Sequence, residues 1–278
     1  MIRILVDSAS DISYKNSDNI MVVPLSVNID GKNYLDGIEL GHDEFYEKLP
    51  NVEEFPKTSQ PAPSAFVEKF EEVKKAGDEV ICLLVSSGIS GTYQSALLAK
   101  SIVDYDKIHI IDSLSAIYCI KILVEEVQKC IKENMKIEDI IERVENLKSR
   151  VQILLSVDTL EYLYKGGRLD KTSAVVGSIA KIKPIIELGV DGKINVVAKS
   201  VGMVRAMNTI VDLVAKKQVD TDYSFYTIYT SGIKNVSKLE VKLNDNNVDV
   251  KERVQLGPVI GTHVGPEAFG CVFVAKER

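Results

Sequence analysis

The sequence of 278 residues lacks several features that would assign a protein to a class at once. It has no excess of positive charge, with 34 Lys and Arg against 40 Asp and Glu, so its charge does not favour a nucleic-acid partner. It also lacks long apolar runs, because stretches such as VICLLV are far too short to cross a bilayer. Asp7 and Asp11 interrupt the apolar start of the chain, and we therefore expect no signal peptide and a cytoplasmic protein.

Cysteine and histidine are too few and too widely spaced to indicate a disulfide framework or a metal centre. The cysteines show no C-x-x-C spacing and lie in apolar surroundings, which favours reduced thiols in the core. The histidines lack the spacing of metal ligands, and we expect neither a metal nor another cofactor. These residues are Cys82, Cys119, Cys130, Cys271, His42, His109 and His263.

Nucleotide-binding and hydrolase motifs are also missing. The chain has no G-x-x-x-x-G-K-[ST] and no G-x-G-x-x-G. Residues 88–92 read Gly-Ile-Ser-Gly-Thr, in which the second glycine comes one position too early for the G-x-S-x-G motif of serine hydrolases. A nucleophilic pair of Ser90 and His263 stays open as an alternative, and it would make the protein a hydrolase or transferase.

The first half of the chain alternates apolar runs with helical patterns. Phe66, Phe70 and Val73 fall at helical spacing, while Pro63 suits the start of that helix and Gly77 its end. Alternating strands and helices predict an α/β fold with a mainly parallel sheet between helices. The predicted strands span 2–7, 79–85 and 107–112, and the predicted helices span 64–77, 91–103 and 115–133.

The second half has a different pattern, which predicts a mixed α+β domain. Asp191 and Gly192 stand between two apolar runs and indicate the turn of a β-hairpin at 184–198. The pattern changes near residues 145–155, so we divide the chain into domains 1–150 and 151–278. The other predicted elements are strands at 150–158, 223–230 and 270–276, a short helix at 159–169, and longer helical segments at 174–183 and 204–217.

Three predicted strands of the first half lead into loops of similar sequence: VDSAS, VSSGIS and IDSLS. The carboxyl ends of parallel strands lie at one edge of a sheet, where open α/β sheets bind their ligands. The sequence therefore predicts three hydroxyl-bearing loops at one edge. Ser and Asp also cap helices well, and capping alone stays open for Asp7–Ser8 and Asp112–Ser113.

The stretch SSGISGTYQS has the composition of an anion-binding loop. If Ser90 caps a helix that begins at Gly91, the amides of the first turn point outward and favour a carboxylate or phosphate. The hydroxyls of Ser90 and Thr92 add further donors. An ordinary capped helix explains Ser90 alone, but it does not explain why Gly88, Gly91, Thr92 and Ser95 cluster around it.

Six motifs occur in the order seen in the DegV family, and the sequence resembles that family over essentially its whole length. They are ILVDSASDI, KTSQPAPSAF, SSGISGTYQSA, DTLEYLYKGGRL, KPIIEL followed by DGKI, and GPVIGTHVGP. The combination of T-S-Q-P with S-G-T-Y-Q-S is specific. The resemblance implies a bacterial fatty-acid-binding protein with two domains and one long-chain fatty acid between them.

The resemblance also implies roles for individual residues and partners. Thr58 and Ser90 would bind the carboxylate of the fatty acid. The protein would not be an enzyme by itself but would present the fatty acid to a separate kinase, which phosphorylates the carboxylate. A monomer and transient contact with a membrane fit this role. The supporting residues around the carboxylate and at the mouth would be Ser59, Gly91, Thr92, Arg168, Arg205 and His263.

The energetics of such a ligand are consistent with these residues. Burial of a methylene contributes about 0.8 kcal/mol, so an acyl chain of about fifteen could supply on the order of 12 kcal/mol before ordering costs. Hydroxyls and helix-start amides would satisfy the carboxylate without a full counter-charge, which leaves its oxygens nucleophilic. A binder of another small carboxylate stays open as a third possibility.

Overall fold

The computed structural model describes residues 1–12, 20–170 and 181–277. Within these ranges the chain forms a four-stranded parallel sheet, a three-stranded sheet and a six-stranded mixed sheet, with helices between them. The predicted α/β fold with a mixed second half is therefore confirmed. The division into domains 1–150 and 151–278 stays a prediction.

The elements of the described residues are as follows, in chain order. The strands are β1 (Ile2–Asp7), β2 (Ile20–Val23), β3 (Ser26–Ile29), β4 (Lys32–Leu35), β5 (Lys57–Ser59), β6 (Glu79–Leu84), β7 (Ile108–Asp112), β8 (Val151–Ser156), β9 (Ile182–Leu188), β10 (Ile194–Val201), β11 (Tyr226–Tyr229), β12 (Glu252–Gln255) and β13 (Phe269–Val274). The helices are α1 (His42–Lys48), α2 (Pro63–Ala76), α3 (Thr92–Val103), α4 (Tyr118–Lys132), α5 (Ile137–Lys148), α6 (Glu161–Lys165), α7 (Met203–Lys217), α8 (Lys234–Asp245) and α9 (Pro258–Val264).

The parallel sheet has the strand order β2-β1-β6-β7, and all three pairings are parallel as predicted. Its strands are covered on both faces, which is why β6 is a continuous apolar run. Phe66 and Phe70 of α2 pack on one face together with Ala96 of α3. Helix α2 begins at Pro63 and ends before Gly77, whose φ is +70°. Both positions agree with the sequence-based prediction.

Helix α4 begins three residues later than the sequence predicts. Residues 113–117 form a turn instead, in which Leu114 and Ile117 have positive φ. The N–H of Ile117 donates to the carbonyl of Ala9 in the neighbouring loop, so the contact with that loop replaces a helical turn.

The three-stranded sheet, in the order β4-β3-β5, has no counterpart in the prediction. Its strands are only three or four residues long. Strand β5 carries Thr58 opposite Val27 of β3, and Val27 is fully buried. This small sheet therefore fixes the position of Thr58.

The six-stranded sheet has the order β10-β9-β8-β13-β11-β12, and only β11 and β12 pair in parallel. Alternate residues of β8 point to the two faces of this sheet. Leu154 packs with α7 and α8, whereas Ile153 and Leu155 face the first half of the chain. The predicted hairpin is confirmed as β9 and β10, with Gly192 at its turn at φ +70°.

The segment predicted as a helix at 174–183 lies outside the described residues as far as residue 180. Its last two residues, Ile182 and Lys183, belong to strand β9 instead. The four cysteines are buried free thiols, as predicted. In the part of the chain that the structure describes, no helix is both long enough and apolar enough to cross a membrane.

Candidate functional site: a cavity between the sheets

A cavity of about 320 Å³ lies where the three sheets meet. Of the 22 described residues that line it, 15 are Ala, Val, Leu or Ile. The loops of the parallel sheet supply one wall, the inner face of the six-stranded sheet supplies the opposite wall, and α9 supplies a third. The main wall residues are Ala9, Val85, Ala116 and Ile117 on the first, Ile153, Leu155, Ile186 and Leu188 on the second, and Val259, Ile260 and Val264 on the third.

Most of the predicted site residues line this one cavity. Thr58 and Ser59 reach it from β5, Ser90 from the loop before α3, Arg168 from the turn after α6, and His263 from α9. The cavity is therefore apolar along its walls and has a group of hydrogen-bonding side chains. The structure brings these residues together although they are up to 205 positions apart in the chain.

Thr58 and His263 form a hydrogen bond of 2.8 Å between Oγ1 and Nε2. Burial, together with the charge of Arg168, lowers the pKa of His263 to about 3, so the imidazole is neutral at physiological pH. Its Nδ1 has no hydrogen-bond partner among the described residues. Because an unpaired buried N–H is costly, we assign the ring proton to Nε2, which donates to Thr58. The hydroxyl proton of Thr58 is then left to donate to another group.

Ser90 also forms hydrogen bonds with a buried neighbour, Thr92. Its Oγ lies 2.8 Å from Oγ1 of Thr92 and 3.3 Å from the backbone N of Thr92, which donates to it. Thr92 is fully buried, whereas Ser90 lines the cavity. If the Thr92 hydroxyl donates as well, Ser90 also has its proton available for a group in the cavity.

The helix after Ser90 begins one residue later than predicted. Gly91 occupies the N-cap position with a ψ of 7°, and α3 begins at Thr92, so Ser90 lies outside the helix. A Cβ at Gly91 would lie 1.8 Å from Oε1 of Gln60, so a side chain at this position would displace the end of the Gln60 side chain. Gln60 donates to Oγ of Ser95 at 2.9 Å, and it also lines the cavity. Gln60 belongs to the T-S-Q-P motif, but the sequence reasoning did not assign it to the site.

Among the described residues, Arg168 is held in place by backbone carbonyls rather than by a carboxylate. Its Nε donates to the carbonyl of Ile89 at 2.9 Å and its Nη1 to the carbonyl of Gly166 at 2.7 Å. Arg168 and Ser90 also line an outer depression of about 490 Å³ next to the cavity, together with Gly91 and Lys193. The polar side of the cavity therefore adjoins the protein surface at this depression.

The three loops that follow β1, β6 and β7 do lie at one edge, as predicted, but their polar side chains mainly join the loops to one another. Asp7 accepts from the N–H of Val85 at 2.6 Å and from that of Ala9 at 3.0 Å, and burial raises the pKa of Asp7 to about 7. Asp112 accepts from the N–H groups of Ser87 and Leu114. These carboxylates cap their own turns and also link neighbouring loops, so capping alone is not their whole role.

A further contact links the hairpin of the six-stranded sheet to the loop after β6. Oγ of Ser86 donates to the carbonyl of Gly192 at 2.8 Å and accepts from the N–H of Gly88 at 3.1 Å. A Cβ at Gly88 would lie 2.8 Å from that same carbonyl. The β9–β10 turn therefore rests directly on the backbone of the loop that leads to Ser90.

Arg205 is not brought to this site. It lies exposed on α7, and α7 packs through Ala206, Met207 and Ile210 on the face of the six-stranded sheet opposite the cavity. Gly91 lines the outer depression but not the cavity, and Thr92 lies behind Ser90. Among the described residues, no group of three or more His, Cys, Asp or Glu could hold a metal ion.

The fold and the cavity together define a class: α/β proteins in which two large sheets enclose a mostly apolar internal cavity with one polar side. The DegV family model, whose members are described as uncharacterised proteins, matches residues 1–276. The chain therefore belongs to the DegV family.

Individual relatives agree with this assignment. A DegV domain-containing protein of Caldanaerobacter subterraneus is 36% identical over 280 residues, which cover 99% of each chain. The crystal structure of DegV, a fatty-acid-binding protein from Bacillus subtilis, is similar with a TM-score of 0.85, 30% identity and 99% coverage of both chains. A stearic-acid-binding protein from Eubacterium ventriosum has a TM-score of 0.88 at 26% identity, again with 99% coverage of both chains.

Proposed function

We propose that this protein binds a long-chain fatty acid in the cavity, with the acyl chain along the apolar walls and the carboxylate at Thr58 and Ser90. The observation that carries the proposal is the pairing of each hydroxyl with a donor of the protein itself. With its ring proton on Nε2, His263 donates to Thr58, and the backbone N–H of Thr92 donates to Ser90. Each hydroxyl then accepts from the protein and can use its own proton to donate to a carboxylate, which only accepts hydrogen bonds.

The charge of the carboxylate needs compensation, since burying an unpaired charge is costly. Arg168 lies at the same side of the cavity, and its guanidinium is held by the carbonyls of Ile89 and Gly166. Arg168 supplies positive potential at the carboxylate, and the contacts described above pair it with backbone carbonyls, not with an acidic side chain. Two hydroxyl donors and a nearby cation satisfy the carboxylate while leaving its oxygens accessible.

We further propose that the protein presents the bound acid to a fatty acid kinase and does not itself catalyse phosphorylation. Ser90 and Arg168 line both the cavity and the outer depression, so a partner that docks over the depression would reach the carboxylate. In this proposal the domains 1–150 and 151–278 close over the acyl chain, and the protein works in the cytoplasm. Transient contact with a membrane would supply the fatty acid.

The geometry gives less support to the two alternatives. A serine hydrolase would need His263 to accept the proton of Ser90, but Nε2 of His263 is bonded to Thr58, and Ser90 is bonded to Thr92. A site for a small carboxylate would not need the apolar walls, which far exceed the surface of such a ligand.

The test is to measure which acids the purified protein retains and how firmly. We expect mass spectrometry of the denatured protein to find a stoichiometric C14–C18 fatty acid. Thr58→Val and Ser90→Ala should each weaken binding about ten- to a hundredfold, because a hydrogen bond to a charged group is worth about 1.5–3 kcal/mol. Arg205→Ala, on the far side of the sheet, is the matched control and should bind as the wild type does. A protein that takes up no lipid on refeeding would contradict the proposal.

A further inference from the structure

Gln60 links the two parts of the protein that carry Thr58 and Ser90. Its Nε2 donates to Oγ of Ser95, near the start of α3, at 2.9 Å. A Cβ at Gly91 would lie 1.8 Å from Oε1 of Gln60 and 2.9 Å from its Nε2, so the amide lies directly beside the residue that follows Ser90. The Gln60 side chain therefore contacts the start of α3 with both the oxygen and the nitrogen of its amide.

The backbone around Gln60 is restricted. Thr58 belongs to β5, the edge strand of the small sheet, and pairs with Val27 of β3. Pro61 follows Gln60 directly, and a residue before proline is restricted to extended conformations. Alternate residues of an extended segment point to the same side, and both Thr58 and Gln60 line the cavity. The position of the Gln60 amide is therefore coupled to that of the Thr58 hydroxyl.

The two hydroxyls themselves belong to separate parts of the fold. Thr58 is bonded to His263 of α9, whereas Ser90 is bonded to Thr92 of α3. A carboxylate can use both donors at once only while their spacing is held, because a hydrogen bond weakens steeply outside a narrow range of distance and angle. Binding groups need neighbours that hold them within about 0.5 Å of the productive geometry. The amide of Gln60 gives such support between the two parts.

We propose that Gln60 is a positioning residue, which sets the spacing of the Thr58 and Ser90 hydroxyls by linking β5 to the start of α3. The inference rests on the proposed fatty-acid binding. Gln60 acts through the two hydroxyls and not by contact with the ligand. The link can be broken from behind the cavity wall, because Ser95 is 3% exposed and is not among the described residues that line the cavity.

The test measures the affinity of delipidated protein for hexadecanoic acid by displacement of a fluorescent fatty acid, below the Tm of each variant. Gln60→Ala and Ser95→Ala should each weaken binding about three- to tenfold, which corresponds to the loss of one neutral hydrogen bond. The double variant should bind no more weakly than Gln60→Ala, because both changes remove the same bond. Ser101→Ala is the matched control. It removes a hydroxyl that donates to the carbonyl of Leu98 on the same helix, and it should bind as the wild type does.

Gly91→Ala breaks the same link from the other side. The φ of Gly91 is −82°, which is open to alanine, so the added Cβ displaces the Gln60 amide without the strain of a positive φ. Gly91→Ala should therefore weaken binding in the wild-type background. It should add no further loss to Gln60→Ala, in which the space beside Gly91 is already vacant.

The Thr58→Val background distinguishes positioning from direct contact. With one of the two hydroxyls removed, no spacing is left to set, so Gln60→Ala should then change the affinity little. A direct contact between Gln60 and the carboxylate would instead cost as much in this background as in the wild type.

The outcomes separate this inference from the proposed function. If the wild type binds hexadecanoic acid and Gln60→Ala and Ser95→Ala bind it equally well, the positioning role is overturned and the binding function stands. The positioning role is also overturned if Ser101→Ala loses as much affinity, or if the loss in Gln60→Ala is undiminished in the Thr58→Val background. If the wild type does not bind the acid, both proposals are overturned.

Discussion

Gly192 offers a quantitative test of the contact between the β9–β10 turn and the loop before Ser90. A Cβ at this position would lie 2.0 Å from Oγ of Ser86 and 3.3 Å from Cα of Leu114, and its φ is +70°. Gly192→Ala would therefore combine an unfavourable backbone conformation with displacement of the Ser86 hydroxyl. That hydroxyl would lose the hydrogen bond that it donates to the carbonyl of Gly192 and the one that it accepts from the N–H of Gly88.

The two contributions can be separated by a matched glycine in another Asp-Gly turn, Asp30–Gly31. Gly31 has a φ of +82°, and a Cβ added there would have no atom within 4 Å, so Gly31→Ala reports the backbone cost alone, about 1–2 kcal/mol. Gly192→Ala should cost a further 1–3 kcal/mol or so, since each hydrogen bond contributes about 0.5–1.5 kcal/mol. In a chain of this size each kcal/mol lowers the Tm by about 2–4 °C.

The measurement is thermal unfolding of both variants, with and without Ser86→Ala. We expect Gly192→Ala to lower the Tm clearly more than Gly31→Ala does in the wild-type background. In the Ser86→Ala background the hydroxyl is already absent, so the extra loss should shrink towards that of Gly31→Ala. The reasoning is refuted if the two glycine variants have the same Tm, or if the extra loss is undiminished without the hydroxyl.

Two further predictions concern protonation and division of labour. Because burial lowers the pKa of His263 to about 3, protonation favours the unfolded state, so His263 costs stability as the pH falls below 6.5. Relative to His263→Gln, the free energy of unfolding of delipidated wild type should fall by about 1.4 kcal/mol more between pH 7.5 and 5.5. Equal losses in the two proteins would contradict the burial of a neutral His263. Lipid-loaded protein with ATP and Mg²⁺ should form no acyl phosphate alone but should form it when the kinase is added. Acyl phosphate made by this protein alone, at a rate abolished by Ser90→Ala, would show that it is an enzyme.

The sequence predicts those parts of the fold that depend on local signals. Pro63 and Gly77 mark the ends of α2, and Asp191–Gly192 marks the hairpin, because each of these residues has a specific backbone preference. The small sheet that carries Thr58 was not predicted, since β4 and β5 are too short and too polar to give a period-two pattern. Local signals also place Ser90 near a helix start, although the helix begins at Thr92 with Gly91 at the N-cap position.

The parts of the site that could not be predicted from local pattern depend on tertiary contacts. The bond between Thr58 and His263 joins residues 205 positions apart, and only the resemblance to a family pointed to Thr58. Arg205 is close in sequence to the hairpin at the cavity, but alternation along the strands places α7 on the other face of the sheet. The conformation of Ile117 has no sequence signal either, because positive φ is normally indicated by Gly, Asn or Asp.

The walls of the cavity come from two sheets that lie in opposite halves of the chain. A molecule bound there contacts both halves at once, so it becomes part of the packing between them and stabilises their association. If the protein binds a fatty acid there as proposed, separation of the two faces would release the acyl chain. A partner that pulls the faces apart would then promote release of the acid without competing for Thr58 and Ser90.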